Sequence, residues 1–297
     1  MSVASLRRET VVRRTLAVTA GCSLLFLGMI MLFLFIEGLP LFSTVSVSDF
    51  LLGMNWYPTS EPPEFGIFPM LAASCAVTFT ASAFAIPLGV MTAVWLTEVA
   101  RPGIRRICKP LIEMTAALPS VVIGFFGMVV AAPLLQDLFD LDSGLNLFTA
   151  SLMLAFMSVP TICSVAEDAL FAVPASLRAG SLALGATRRE TTVRVVIPAA
   201  FSGIGTACML GMSRSIGETM VVLMTAGGAG ILPRSLFDPV RPIPSVIAAE
   251  TAEASFRGEH YRALFAVGIV LFLFTLAFNI AARYISEKNG GGRRSGR

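Results

Sequence analysis

Apolar residues gather into six stretches along the chain, each long enough to cross a bilayer as a helix, which takes about 20 mostly apolar residues. They cover 15–36, 69–96, 110–135, 147–166, 197–226 and 263–283. The pattern predicts an all-α polytopic membrane protein with six transmembrane helices. The third stretch holds Pro119 and Pro133, and the fifth is interrupted by Gly203, Gly205, Gly211 and Gly217. Kinks or breaks are expected in both, because proline lacks the backbone donor and glycine loosens a helix. No strand pattern stands out, and neither a soluble domain nor an internal repeat is visible. In the 37–68 connection, "WYPTSEPPEFG" pairs two aromatic residues suited to a membrane interface with proline-rich turns. That composition predicts a short ordered lid or an irregular loop.

Charge between the stretches alternates. Arg7, Arg8, Arg13 and Arg14 precede the first stretch, and Arg101, Arg105, Arg106 and Lys109 lie between the second and third. Arg178, Arg188, Arg189 and Arg194 lie between the fourth and fifth, and Arg283, Lys288, Arg293, Arg294 and Arg297 end the chain. The intervening connections 37–68 and 136–146 carry Glu37, Asp49, Glu61, Glu64, Asp137, Asp140 and Asp142 and no base, while 227–262 is mixed. Basic residues mark the cytoplasmic side, so both termini are expected in the cytoplasm. The organisation read from this is a cytoplasmic segment 1–14, a membrane domain 15–285 and a basic, flexible tail 286–297 that is solvated or touches anionic lipid.

Composition supports this picture and removes alternatives. Hydrophobic residues make up 55% of the 297 and charged residues only 14%, against about 25% charged in soluble domains. The five cysteines (22, 75, 108, 163, 208) are scattered through apolar runs without a C-x-x-C spacing, so they read as small buried hydrophobes. "TAGC" at 19–22 resembles a lipoprotein cleavage box, but the apolar run continues past Cys22, so an uncleaved first span is expected. The single histidine, His260, excludes an H-E-x-x-H zinc site, and neither Lys109 nor Lys288 sits in a G-x-x-x-x-G-K-[ST] loop. No metal site, no nucleic-acid partner and no nucleophile–base set is expected. If ATP powers this protein, another subunit binds it.

One charged pair lies inside an apolar run. "MSRSIGETMVV" (212–222) places Arg214 and Glu218 on one face, provided the helix is continuous. A central arginine costs about 2.5–3.5 kcal/mol on insertion scales and persists only with compensation. The pair is either a permanent salt bridge or the handle for a charged substrate. Glu113, close to the basic connection before it, is expected to partner Arg105, Arg106 or Lys109, and Glu167 and Asp168 to mark the end of the fourth span.

The 166–200 connection is long and regular. Residues 175–186 suit a short helix with Leu177, Leu182 and Leu184 on an apolar side. Gly185 permits a sharp turn, Thr187 and Glu190 form a capping box for a second helix, and Pro198 opens the fifth span. Such an elbow either fits a groove on a partner or lies on lipid.

"SLALGATRRETTVRVVIP" (181–198) resembles the EAA-type loop of ABC importer permeases. "LPSVVIGFFGMVVAAPLL" (118–135), "SRSIGETMVVLMTAGG" (213–228) and "SLFDPVRPIPSVIA" (235–248) are similar to phosphate importer permeases of the PstC type. The resemblance spans about 65–285 and departs at Ala179, Gly180 and Ser181, which stand where the loop's Glu-Ala-Ala is expected. It implies a type I ABC importer permease fold in a bacterial or archaeal cell membrane. It also implies a PstA-type permease partner, an ATPase dimer and an external phosphate-binding protein. Ser181, Leu182, Leu184, Gly185, Ala186 and Pro198 would contact the ATPase, and the missing acid would remove one polar contact there. Arg214, with Ser213, Ser215, Thr219 and Glu218, would then line the phosphate path, with Glu218 holding Arg214 when the site is empty. Sulfate or molybdate as cargo, or an ion-coupled secondary transporter with Glu218 as proton carrier, are the competing readings.

Overall fold

The computed structural model describes residues 3–291. Helices dominate. The first, α1 (Val3–Gly38), belongs to an apolar segment, Val12–Ser43, whose most apolar 18 residues are entirely unburied. Leu24, Leu25, Phe26, Ile30 and Phe33 are all exposed, an arrangement stable in lipid and not in water. Among the bundle helices α1 meets α14 (Glu259–Gly291), where Phe33 and Phe265 pack edge to face.

After a 3₁₀ turn (Leu39–Ser43), the chain forms α2 (Val47–Leu52), whose first turn is capped by Ser46 accepting from Asp49 N at 3.1 Å. A two-stranded antiparallel hairpin follows, β1 (Trp56–Tyr57) against β2 (Glu64–Phe65). The lid is therefore ordered, and it contains a strand pair too short to leave a period-two signal. Leu41, Phe50, Trp56, Phe65 and Ile67 give it an apolar core shared with Met70, Ile243, Val246 and Leu264.

The bundle is organised around α7 (Leu147–Phe171), which packs on α3 (Phe68–Val94) along most of its length. A stripe on α3 of Ala73, Val77, Ala81, Ala85, Gly89 and Ala93, four residues apart, is buried. Small residues at this spacing let two backbones come close in the absence of a hydrophobic driving force between helices. Ile162 of α7 shows how close. A Cβ on Gly89 of α3 would lie 2.8 Å from its Cβ, and one on Gly211 of α11 (Phe201–Ile216) 2.4 Å from its Cγ1. Three helices thus meet across one isoleucine side chain.

The third and fifth apolar stretches differ from their sequence boundaries. The former begins not in a span but in α4 (Pro102–Ala116), a separate helix. Pro119 disfavours the helical conformation of Leu118 and lacks a donor, so the chain breaks at 117–119. The membrane-length segment is Ser120–Phe139, made of α5 (Ser120–Phe126), a π turn (Gly127–Ala131) and α6 (Ala132–Phe139). Pro133 is accommodated in the first turn of α6 and breaks nothing.

Between α7 and α11 lie α8 (Ala175–Ala183), α9 (Arg188–Thr191), a π turn (Thr192–Val196) and α10 (Ile197–Ala199). The chain bends by 69° between Ala199 and Phe201, just after Pro198. A second break at 217–219 separates α11 from α12 (Met220–Thr225). Of the four glycines expected to interrupt this stretch, only Gly217 sits at a break, whereas Gly203 and Gly211 sit inside α11 against Ala169 and Ile162. Counting the bent pair once, six candidate spans result among the described residues. The chain ends in α13 (Ile243–Glu250) and α14. Residues 286–291, expected in a flexible tail, are the last turns of α14, and 292–297 lie outside the described residues.

Candidate substrate site and coupling elbow

Arg214 occupies the last turn of α11, where helix carbonyls favour a cation. Gly217 caps that helix, so the chain leaves the helical path before Glu218. The expected shared face is therefore lost. Among the described residues no ion pair joins Arg214 to Glu218, and Arg214 Nε is buried without a hydrogen-bond partner. Leaving a buried donor unpaired costs about 1–3 kcal/mol, more for a charged group.

The neighbouring hydroxyls divide between two helices. Ser215 is buried against α7, its Oγ 2.9 Å from Ser158 Oγ and 3.2 Å from Gly211 O. Ser213 Oγ donates to Asn279 Oδ1 on α14. Thr219 Oγ1 turns back to Gly217 O at 3.4 Å. The five residues named from the sequence are thus gathered at one break, with Arg214 set between the two serine contacts. Ser158 and Asn279 were missed. Asn279, an amide inside the sixth apolar stretch, left a readable signal; Ser158 is one hydroxyl among many in α7.

The loop after α12 is fixed by its own polar contacts. Asp238 accepts from Arg234 N and Ser235 N, both at 2.8 Å, and these hold its carboxyl below the usual carboxylate range. At the same end of the bundle Glu250 gathers Trp56 Nε1 at 2.9 Å, His260 Nε2 at 2.8 Å and Arg241 at 2.5 Å, joining the lid to α13 and α14.

The opposite end carries the elbow. α8 stops at Ala183, three residues short of the sequence expectation, and Gly185 turns the chain at φ +85°, a conformation only glycine adopts readily. Gly185 N donates to Leu182 O at 3.0 Å and Ala186 N to Ser181 O at 3.2 Å. Thr187 and Glu190 form the expected capping box. The Thr187 backbone N–H (2.9 Å) and hydroxyl (2.8 Å) both donate to Glu190 and hold its carboxyl below the usual range. Across the turn Ser181 Oγ lies 2.9 Å from Thr191 Oγ1. Leu177 and Leu182 are exposed, and Leu184 is 90% exposed. Pro198 lies in α10, immediately before the 69° bend.

The acid expected to neutralise α4 is not the one that does so. Arg105 and Lys109 share one face of α4 and reach Glu167, at 2.7 Å and 3.2 Å, and Lys109 also reaches Asp168 at 3.2 Å. Glu113, four residues after Lys109 on the same helix, is exposed, and the Lys-then-Glu order is the weaker one for an intrahelical pair. Burial lowers the Lys109 ammonium, but hydrogen bonds and charge from Glu167 and Asp168 outweigh it and leave its pKa raised.

Comparison with known proteins places this arrangement. Residues 85–290 match the family described as binding-protein-dependent transport system inner membrane component. The chain belongs to this family of transport permeases. The permease is 36% identical over 282 residues to the probable ABC transporter permease protein YqgH of Bacillus subtilis (strain 168), covering 93% of this chain and 91% of that one. It is 35% identical over 286 residues to the phosphate transport system permease protein PstC of Pasteurella multocida (strain Pm70), covering 90% and 88%. In fold it is similar to a chain of a bacterial alginate ABC transporter bound to its periplasmic protein, with a TM-score of 0.67, 15% identity and 97% of each chain covered. The type I importer permease fold expected from the sequence is therefore present, and this permease is an inner-membrane component.

Proposed function

We propose that this permease is one half of the translocation path of an ATP-driven phosphate importer. Its partners are a PstA-type permease, an ATPase dimer seated on the α8–α9 elbow, and an external phosphate-binding protein. ATP is bound by the ATPase, not by this chain. Both termini and the elbow face the cytoplasm, in keeping with the basic residues at that end, and the lid faces outward. Similarity to PstC of Pasteurella multocida and to PstC of Haemophilus influenzae (34% identical over 259 residues) supports the cargo.

The observation that carries the reading is Arg214 Nε, buried and unpaired at a break in a membrane helix. A guanidinium presents a planar fork that matches two phosphate oxygens. Glu218, not engaged with Arg214, accepts a hydrogen bond from the P–OH of hydrogen phosphate, a donor that sulfate lacks. Nucleotide binding and hydrolysis in the partner drive the elbow, and the site is exposed to each side in turn.

Arg214→Ala and Arg214→Lys, made in the assembled complex, test this through phosphate uptake. The expected loss for Arg214→Ala is roughly tenfold to hundredfold, equivalent to about 1.5–3 kcal/mol for hydrogen bonds to a charged group. Uptake equal to wild type in both variants would reject the site. Competition by sulfate equal to that by phosphate would reject the role of Glu218.

A further inference from the structure

Arg178 plays no part at the Arg214 site, and it is not among the elbow residues that the sequence resemblance singles out. It is the fourth residue of α8, and its side chain is three-quarters buried. Nη1 donates to Val173 O at 2.6 Å, and Nη2 to Leu170 O at 2.9 Å. Leu170 is in the last turn of α7 and Val173 follows its cap, where terminal carbonyls lack intrahelical donors. Nη2 also reaches Glu98 Oε1 at 2.9 Å. Glu98 belongs to the π turn Trp95–Val99 that closes α3, and π turns recur at functional positions in helices. One side chain therefore fastens α8 to the ends of both helices of the central pair.

α8 is also joined toward the fifth span, by packing on α9 and on the Thr192–Val196 π turn, by the Ser181–Thr191 hydroxyl contact and by the turn at Gly185. A displacement of α8 that relied on this route alone would move α9–α11 and leave α3 and α7 behind. The second ion cluster, Glu167 with Arg105 and Lys109, fixes α4 to α7 at the same end. The polar contacts thus bind α3, α4, α7 and α8 into one block.

We propose that Arg178 is a positioning residue for energy coupling: through Glu98 and the α7 carbonyls it passes movement of α8 into the α3–α7 pair. The proposal rests on the reading that an ATPase drives the elbow. It requires a guanidinium, because three acceptors in different directions are met by its planar fork and not by an ammonium. It also places the link inside this chain, at a loop whose Ala179, Gly180 and Ser181 lack the acid expected there.

The test uses the intact complex with its partner subunits in proteoliposomes, measuring phosphate uptake and ATP hydrolysis together. Glu98→Gln keeps both carbonyl contacts of Arg178 and removes only the charge link. The expected result is uptake per ATP lowered about fivefold or more, with co-purification and ATP hydrolysis unchanged, since contacting pairs couple by up to a few kcal/mol. A merely structural role would lower uptake and hydrolysis together and leave the ratio alone. Arg178→Lys should fall between wild type and Arg178→Ala, and the Arg178→Ala/Glu98→Ala double variant should be no worse than Arg178→Ala. A wild-type ratio in Glu98→Gln, or additive losses in the double variant, would overturn the proposal. If Arg178→Ala fails to assemble, Glu98→Gln decides alone. A wild-type complex that takes up no phosphate would instead overturn the cargo assignment.

Discussion

At the scale of single residues, the charges report most about this molecule. Arg214 was visible in the sequence because a cation in an apolar run needs an explanation, and the structure places it at a helix break with an unpaired buried nitrogen. Its pairing with Glu218 was not legible. It depended on whether the helix continued through Gly217, and four residues of sequence do not state where a helix ends. Glu167 illustrates the same limit. Its 1% exposure arises because α4 folds back onto α7, a tertiary event that assigned Arg105 and Lys109 to it rather than to the nearer Glu113. Replacing Glu167 with Gln leaves two cations facing a neutral amide. Because both cations are partly solvated, the expected destabilisation is about 1–3 kcal/mol. A lower thermal midpoint of the detergent-solubilised complex, with Glu113→Gln close to wild type as the control, would show it.

At the scale of elements, the elbow was the most legible part. Thr187, Glu190 and Gly185 specify a cap and a turn through local chemistry, so the structure adds only the end of α8 at Ala183 and the hydroxyl contact across the turn. The spans with internal breaks were less legible, because Pro119 ends a helix and Pro198 precedes a 69° bend while Pro133 is absorbed beside a π turn, and hydropathy does not distinguish the cases. The capping box also makes the elbow sensitive to acid. Glu190 has a carboxyl lowered by its bonds from Thr187, so its contribution is complete above the unfolded carboxylate value of about 4.3 and is lost as pH falls through the lower folded value. Hydrogen exchange of the 187–191 amides, corrected for intrinsic rates, should therefore accelerate in that acid window. Glu190→Gln should abolish the dependence, and pH-independent protection in wild type would contradict it.

At the scale of the whole molecule, six spans could be counted from apolar length, but their arrangement could not. Nothing in the hydropathy shows that α1 stands at the edge on α14, or that α3 and α7 form the centre. The small-residue stripe on α3 is the one sequence trace of that pairing, and it is faint because alanine and glycine are common in any apolar run. Orientation is open to direct measurement. A cysteine at Ser60, in the exposed lid, should react with an impermeant maleimide in right-side-out vesicles, whereas one at Leu184 should react only in inverted vesicles stripped of ATPase. The opposite labelling would invert the assignment. The junction at Ile162 has a consequence for the molecule as a whole. Where Gly89 and Gly211 press on that one side chain, no water fits between α3, α7 and α11. An alanine at either glycine should wedge all three helices apart at once, so each exchange should lower the thermal midpoint of the solubilised protein.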